Sequence, residues 1–488
     1  MLAKKTKFCL ILLIILFFSC QKPISEENIF SGNILAMVKD RTISVNDFIR
    51  RCEYVPRPVY CKGDNYIHKK IALNSLIAEK ILSIEFDRLN FKNTEAQIAM
   101  VNGHKEQTMR HLMLKHFGYD KVKVDKDSIN YLARLRNRVY KIRFISSVLE
   151  NASNLPMGIR IDQLPKILNI ESSIMEKEIS KDDNMLNEVE DILFYSNPRM
   201  KTLYGPFRTD RNKVLYFEIK GWTTNPKITD MGKKESFLET ENEYKKRTAT
   251  RLYNAYVKRL MKDKRIDFNK EAFNQFSSKI ANIYMIEKEK KEIALGNTLW
   301  GDDSIEDFKS FNILNDLNDN IILSYDNKQY TVSNILKIIK THPLVFRNKD
   351  ISKNMFENEL KYALADLFRD IDITKKAYEL GFHEQYDAIR IEEKWSDFIN
   401  AKIIKNAFGF NSMANKTPSK ELISKIDTLQ NSYSKYIKID TDKFEKIDLL
   451  RTDMNVIYTN QPYSRVEPDF PILTTDHFLD YGKKTSFD

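Results

Sequence analysis

Glycine is scarce in this chain, 13 residues in 488, and no glycine-rich phosphate-cradling loop or G-x-S-x-G turn is present. That scarcity speaks against doubly wound nucleotide folds and β-sandwiches, and with charged residues at 30% it favours long surface-exposed helices. Only four cysteines occur, none of them after Cys61, and no histidine lies between Phe117 and Thr341. Beyond the first twenty residues no run approaches the eighteen or so apolar residues of a membrane-spanning helix. The net charge is +11, but lysine and arginine alternate with aspartate and glutamate instead of clustering. A nucleic-acid footprint needs a concentrated basic face, so no nucleic-acid partner is expected. Weak attraction to an anionic membrane surface is the plainer use of this charge.

What is present begins at the first residues. Lys4, Lys5 and Lys7 precede an unbroken apolar run from Phe8 to Phe18, about eleven residues, which Ser19-Cys20 ends. This has the length of a signal-peptide core and is too short to span a bilayer as a mature helix. Leu16-Phe17-Phe18-Ser19-Cys20 resembles a bacterial lipoprotein cleavage box, although Phe17 and Phe18 depart from its commonest form. Residues 1–19 are thus expected to be a signal and Cys20 the lipidated residue, with 20–33 as a polar tether. Ordinary cleaved secretion is the alternative. Gln21 lacks the aspartate that favours inner-membrane retention, so the expected place is the periplasmic face of the outer membrane of a Gram-negative-type envelope. Cys52 and Cys61 remain in the mature chain, nine apart across Val55-Pro56-Arg57-Pro58. In an oxidising compartment they form a possible disulfide worth roughly 2–3 kcal/mol, and two separately buried thiols are the alternative.

Two stretches share one grammar. Ile34–Val38 and Thr42–Val45 read as strands around Lys39-Asp40-Arg41, and Ser44 with Asp47 reads as the cap of a helix running to Cys52. Ile321–Tyr325 and Gln329–Val332 flank Asp326-Asn327-Lys328 in the same way, with Thr331 at the cap. Ser44 to Pro56 and Thr331 to Pro343 are both twelve steps, and without a gap Leu73 falls on Leu360 and Ala78-Glu79 on Ala365-Asp366. Helical spacing predicts further helices over 71–89, 95–117, 128–138, 239–262, 387–407 and 419–436. Between the two stretches, Val139–Val148 and Val214–Ile219 read as strands, with helices over Ile161–Ile179 and Asn184–Phe194. That is a small α+β domain in a mainly α chain. From Ile437 onward no helical period appears, and Pro462, Pro468 and Pro471 with Tyr458, Tyr463 and Phe470 point to an extended strap; a disordered tail is the alternative.

This order of elements resembles the SurA and parvulin-type foldase family. The resembling residues are Val38 to Phe48, Asn74 to Glu79, and Gly205-Pro206-Phe207-Arg208-Thr209 ahead of the last parvulin-like strand. The resemblance implies SurA-like helical chaperone modules flanking a parvulin-like domain. Its expected boundaries are 34–138 for the first module, 139–225 for the parvulin-like domain and 226–285 for a returning helix and strand. A second module then covers 286–439 and an extended tail 440–488. Parvulin isomerases use paired histidines in the core of their sheet, because lowering a barrier of about 18–20 kcal/mol needs polar groups fixed around the prolyl amide. At the corresponding positions this chain has Phe144 and Leu215. The domain is therefore expected to be catalytically degenerate, with no catalytic residues assigned.

Other chemistry is weakly signalled. His104, His111 and His116 are spaced by seven and five, not the i, i+4 of a helical metal pair, so no metal or other cofactor is expected. Asp182-Asp183 and Asp302-Asp303 read as solvated loop charges, and Trp222, Trp300 and Trp395 as isolated packing residues. The resulting expectation is a lipid-anchored chaperone or foldase-like protein that holds unfolded or extended envelope polypeptides without strong isomerase activity. A structural lipoprotein docking one folded partner, and an active prolyl isomerase, are the alternatives.

Overall fold

The computed structural model describes residues 33–148, 158–169, 173–210, 213–284, 314–348, 351–410, 417–451, 454–479 and 482–487. The signal, Cys20 and most of the tether lie outside these, as do Trp300 and Asp302-Asp303. The fold is mainly helical with three small sheets. Strands β1 (Ile34–Val38) and β2 (Arg41–Ser44) form a hairpin that leads into α1 (Val45–Glu53). The Ser44 hydroxyl accepts the Asp47 N–H and the Asp47 carboxylate accepts the Ser44 N–H, which is the capping box expected from the sequence. The long helices α2 (Tyr66–Arg88) and α3 (Glu95–Phe117) follow, then α4 (Lys126–Arg136).

The central region contains β3 (Arg138–Val148), a one-turn α5 (Leu164–Ile167), β4 (Met175–Ile179), α6 (Asn187–Tyr195), β5 (Leu203–Asp210) and β6 (Lys213–Thr224). The helix expected over Ile161–Ile179 is corrected: the apolar spacing of Ile161, Leu164 and Leu168 supports only a short helical turn, and Met175–Ile179 is an edge strand. After this come α7 (Asp230–Leu260), β7 (Ile266–Phe268), α8 (Lys270–Tyr284), β8 (Ile321–Tyr325), β9 (Lys328–Thr331) and α9 (Val332–Thr341). The chain ends with α10 (Phe356–Glu379), α11 (Tyr386–Ala407), α12 (Lys420–Tyr433), β10 (Ile437–Asp440), α13 (Thr441–Glu445) and β11 (Lys483–Thr485).

Two compact units result, one of residues 1–115 with 256–488 and one of residues 116–255. The expected modules 34–138 and 286–439 and the tail 440–488 are therefore not separate bodies. The reason is strand and helix pairing across the chain. β10 pairs antiparallel with β1, Ala36 opposite Ile439 and Val38 opposite Ile437. Ala78, Leu82 and Phe86 of α2 pack with Ala401 and Ile404 of α11 and with Leu422 and Ile426 of α12. Buried ion pairs tie the same elements: Lys80 to Asp397 at 2.6 Å, and Arg51 of α1 to Glu79 of α2 at 2.8 Å.

Within the larger unit one motif occurs twice, at an offset of 287 residues (Ser44 to Thr331). Hairpin β1–β2 pairs Ile34 with Ser44, Ala36 with Ile43 and Val38 with Arg41; β8–β9 pairs Ile321 with Thr331, Leu323 with Tyr330 and Tyr325 with Lys328. The left-handed turn residues Lys39 and Asp326 correspond, and so do the capping boxes of Ser44 with Asp47 and Thr331 with Asn334. Val45 N–H donates to Asn33 O, and Val332 N–H to Asn320 O. Leu73 and Leu360, matched in the sequence, are both fully buried. Each hairpin also gains a third strand. For the first copy it is β10, running into α13; for the second it is β7, running into α8, with Ile437 on Val38 and Ile266 on Tyr325. Phe444 and Phe273 then fill equivalent core positions.

The smaller unit is an antiparallel sheet in the order β4-β3-β6-β5. Tyr140, Ile142, Phe217 and Ile219 face α6 through Val189, Leu193 and Phe194, while Ile145, Val214 and Tyr216 face Ile161, Leu164 and Leu168. Alternation along β3 and β6 sends apolar side chains to both faces, so both are covered. Lys181 joins Glu190 (2.5 Å) and Glu243 (2.6 Å), and Arg136 joins Glu243 (2.6 Å), linking α4, α6 and α7.

Candidate functional site

In the smaller unit the two positions that the resemblance assigns to isomerase histidines come together. Phe144 lies opposite Phe217 across β3 and β6, and Leu215 lies opposite Phe207 across β6 and β5. Both side chains pack on the same face, beside Tyr204, whose ring stacks on Phe217 at 5.1 Å. The sequence places no imidazole or thiol in this unit after His116. An apolar and aromatic face of this kind can contact a side chain, but Phe144 and Leu215 have no polar atom to bond a twisting amide.

In the larger unit the final segment is an extended strap, as one of the two expectations held, and it is built into the core. Tyr463, Val466, Phe470, Leu473 and Leu479 are buried. Its main chain is held by side chains of the amino-terminal helices. Gln107 of α3 donates from Nε2 to Tyr463 O (2.8 Å) and accepts the Tyr463 N–H at Oε1 (2.9 Å). Arg51 donates to Asp469 O at 2.7 Å, and Asn74 donates to Asp476 O at 3.0 Å and to Phe478 O at 3.2 Å. Lys69 donates to Ile447 O at 2.7 Å. These are contacts to peptide groups, which every sequence has. Sequence periodicity passed over Gln107, Arg51 and Asn74. The signal was there in Asn74 and Glu79, polar residues set among Leu73, Leu76, Ile77 and Ala78 of α2 and 0% and 2% exposed.

Beside the strap lies a cavity of ≈ 130 Å³, lined by Asp47, His111, Asp387, Arg390, Lys394 and Tyr458 among others. Glu467 of the strap is fully buried and pairs with Arg50 at 2.6 Å and Lys394 at 2.9 Å. Asp47 pairs with Arg390 at 2.6 Å and Lys394 at 3.2 Å. Burial alone would raise the Asp47 carboxyl, but these two cations hold it well below the usual range. Burial pushes the Asp387 carboxyl up and pulls the His111 imidazole down to about 4. His104, stacked on Trp395 at 3.7 Å, is also held well below its ordinary value by burial, with the Lys394 charge adding to it. The cations nearest the strap are already matched by carboxylates, so the cavity reads as a charge-balanced seam closing the strap onto α1, α3 and α11.

Cys52 and Cys61 form no disulfide, and both are fully buried in one core with Phe48 and Ile77. Burial pushes the Cys52 thiol up to about 12, so it is inert at neutral pH. Among the described residues no group of histidine, cysteine, aspartate or glutamate could hold a metal ion, and no helix is long and apolar enough to cross a membrane. Asp183 is exposed and its carboxylate accepts the Ser180 N–H, a turn contact. Trp222 packs under Arg138 at 4.2 Å and beside Tyr140. No family model, curated protein or solved structure matches the chain.

Proposed function

We propose that this chain is a lipid-anchored envelope protein that binds unfolded or extended polypeptides, with a SurA-like helical unit and a degenerate parvulin-like domain. The observation that carries the reading is the way α1, α2 and α3 grip the strap. Side-chain amides and cations bond its peptide groups at Ile447, Tyr463, Asp469, Asp476 and Phe478, while Tyr463, Val466, Phe470, Leu473 and Leu479 are buried in the core. A surface that holds one extended segment through its backbone has the chemistry to hold others. The apolar face at Phe144 and Leu215 supports the degenerate reading, because it offers contact area without groups to stabilise a rotated amide.

One observation favours docking of a single folded partner instead: the helical cradle is filled by the chain's own strap. Light scattering separates the two. The mature protein is expected to suppress aggregation of a denatured outer-membrane protein near equimolar ratio, with proline-peptide isomerisation staying at the uncatalysed rate. Failure to suppress at molar excess, with one stable partner recovered by crosslinking, selects docking. Clear isomerisation overturns the degenerate site.

A further inference from the structure

The two copies of the repeated motif differ at one edge. In the first, β11 adds in parallel to β10, Lys438 opposite Lys483, Ile439 opposite Lys484 and Asp440 opposite Thr485. Asp440 caps α13 and its carboxylate also accepts the Phe487 N–H at 3.1 Å. In the second copy, β7 takes the place of β10, at an offset of 171 residues (Ile266 to Ile437). The correspondence is close. Lys39 N–H donates to Tyr436 O and Asp326 N–H to Arg265 O, while Lys443 N–H donates to the Asp440 carboxylate and Ala272 N–H to the Asn269 amide oxygen.

The outer edge of β7 has no strand on it among the described residues. Arg265 O accepts from Asp326 N–H, Asp267 lies opposite Ser324, and Asn269 N–H donates to Ile322 O. By the alternation of an antiparallel ladder, the peptide groups of Ile266 and Phe268 therefore point away from β8. Asp267 and Asn269 are exposed, and Ile266 and Phe268 are half-buried. A short edge whose outward peptide groups meet no strand among the described residues is a template for strand addition.

We propose that the outer edge of β7 is a docking site for an extended segment of another polypeptide, which adds in parallel through the peptide groups of Ile266 and Phe268. The first copy supplies the template for the occupant. There an extended strand follows Gly482, where a Cβ would press on Ile437 and Ile439. Ile266 and Phe268 are the counterparts of those two residues, so a segment with a small residue ahead of its strand fits. Asn269 replaces Asp440 and presents an amide to the incoming backbone. We assign the occupant to another chain, since among the described residues the segment that fills the equivalent edge, this chain's own terminal strand, is already committed to β10. The inference deepens the proposed function by naming where a client is held, and it rests on that reading.

The test is residue-resolved hydrogen exchange on the mature protein, alone and with a reduced, carboxymethylated polypeptide that stays unfolded without denaturant. The Ile266 and Phe268 amides are expected to exchange quickly alone and to slow at least tenfold on addition. Ile266→Pro removes one outward N–H and should weaken binding about three- to tenfold, the range for one backbone hydrogen bond. Should that variant fold poorly, the wild-type exchange data still decide. Slow exchange at both amides in the free protein overturns the inference. Saturable binding without protection at β7 overturns it while leaving the proposed function standing, and no binding anywhere overturns both.

Discussion

Replacing Glu467 with alanine tests whether the strap is locked into the larger unit. Its carboxylate is fully buried, 2.6 Å from Arg50 and 2.9 Å from Lys394. Breaking a buried ion pair by removing one partner costs about 3–5 kcal/mol, because the remaining charge stays out of water. Lys394 keeps Asp47 at 3.2 Å, which offsets part of the loss. For Arg50 the Glu467 carboxylate is the ion-pair partner, and its loss strands that guanidinium. The expected cost of Glu467→Ala is therefore about 3–4 kcal/mol, a rise of roughly two to three orders of magnitude in the strap-detached population. Trp395 reports the event: it is 1% exposed and stacked on His104, which in turn lies 4.5 Å from the Tyr463 ring. In a Trp222→Phe, Trp300→Phe background, urea unfolding followed by its fluorescence gives the stability directly. Glu467→Gln, which keeps the shape and one acceptor, should lose less. The paired change Arg50→Met, Glu467→Leu should recover part of the loss, since it removes the stranded guanidinium and apolar pairs of similar volume replace buried ion pairs at little cost. A change below about 1 kcal/mol for Glu467→Ala, the level of an exposed ion pair, would refute the buried-lock argument.

Gly103→Ala should destabilise the same region by about 2 kcal/mol, because a Cβ there falls on the Tyr463 ring, outweighing the gain of about 1 kcal/mol that alanine brings to a helix; thermal denaturation checks it. Acid should loosen the larger unit: His111 and His104 have lowered folded-state pKa values, so the unfolded chain binds more protons and stability falls as pH drops from about 6.5 towards 4. His111→Gln should remove about 3 kcal/mol of that loss, whereas the Asp47 contribution, present above about 3.8, disappears only below that pH. A thiol reagent at pH 8 should leave Cys52 and Cys61 untouched in the folded protein and titrate both after unfolding; no titration after unfolding would reveal a disulfide. Metabolic palmitate should label the wild type and not Cys20→Ala, and labelling of the variant would contradict the anchor.

Local signals were legible and distant ones were not. The hairpin at Lys39, the cap at Ser44 and their counterparts at Asp326 and Thr331 are written within a dozen residues, and the structure has them in matching register. The third strands β10 and β7 reach their hairpins from remote sequence, so four and three residues, respectively, carried no sign of their partner. Met175–Ile179 was misread because an exposed edge strand of Glu-Lys-Glu lacks apolar alternation. The strap was legible as extended but its burial was not, because the polar residues Glu467 and Thr474 are buried in surroundings that only the fold provides. Phe144 and Leu215 were singled out only through the resemblance; that they pack on one face follows from the pairing of β3 with β6, which periodicity alone does not give.

The most direct measurement is equilibrium binding of a fluorescently labelled polypeptide offered in two forms, permanently unfolded and natively folded, to the mature protein. Saturable anisotropy with the unfolded form and none with the folded form is the predicted result. Equal binding of both forms, or of neither, would contradict the account.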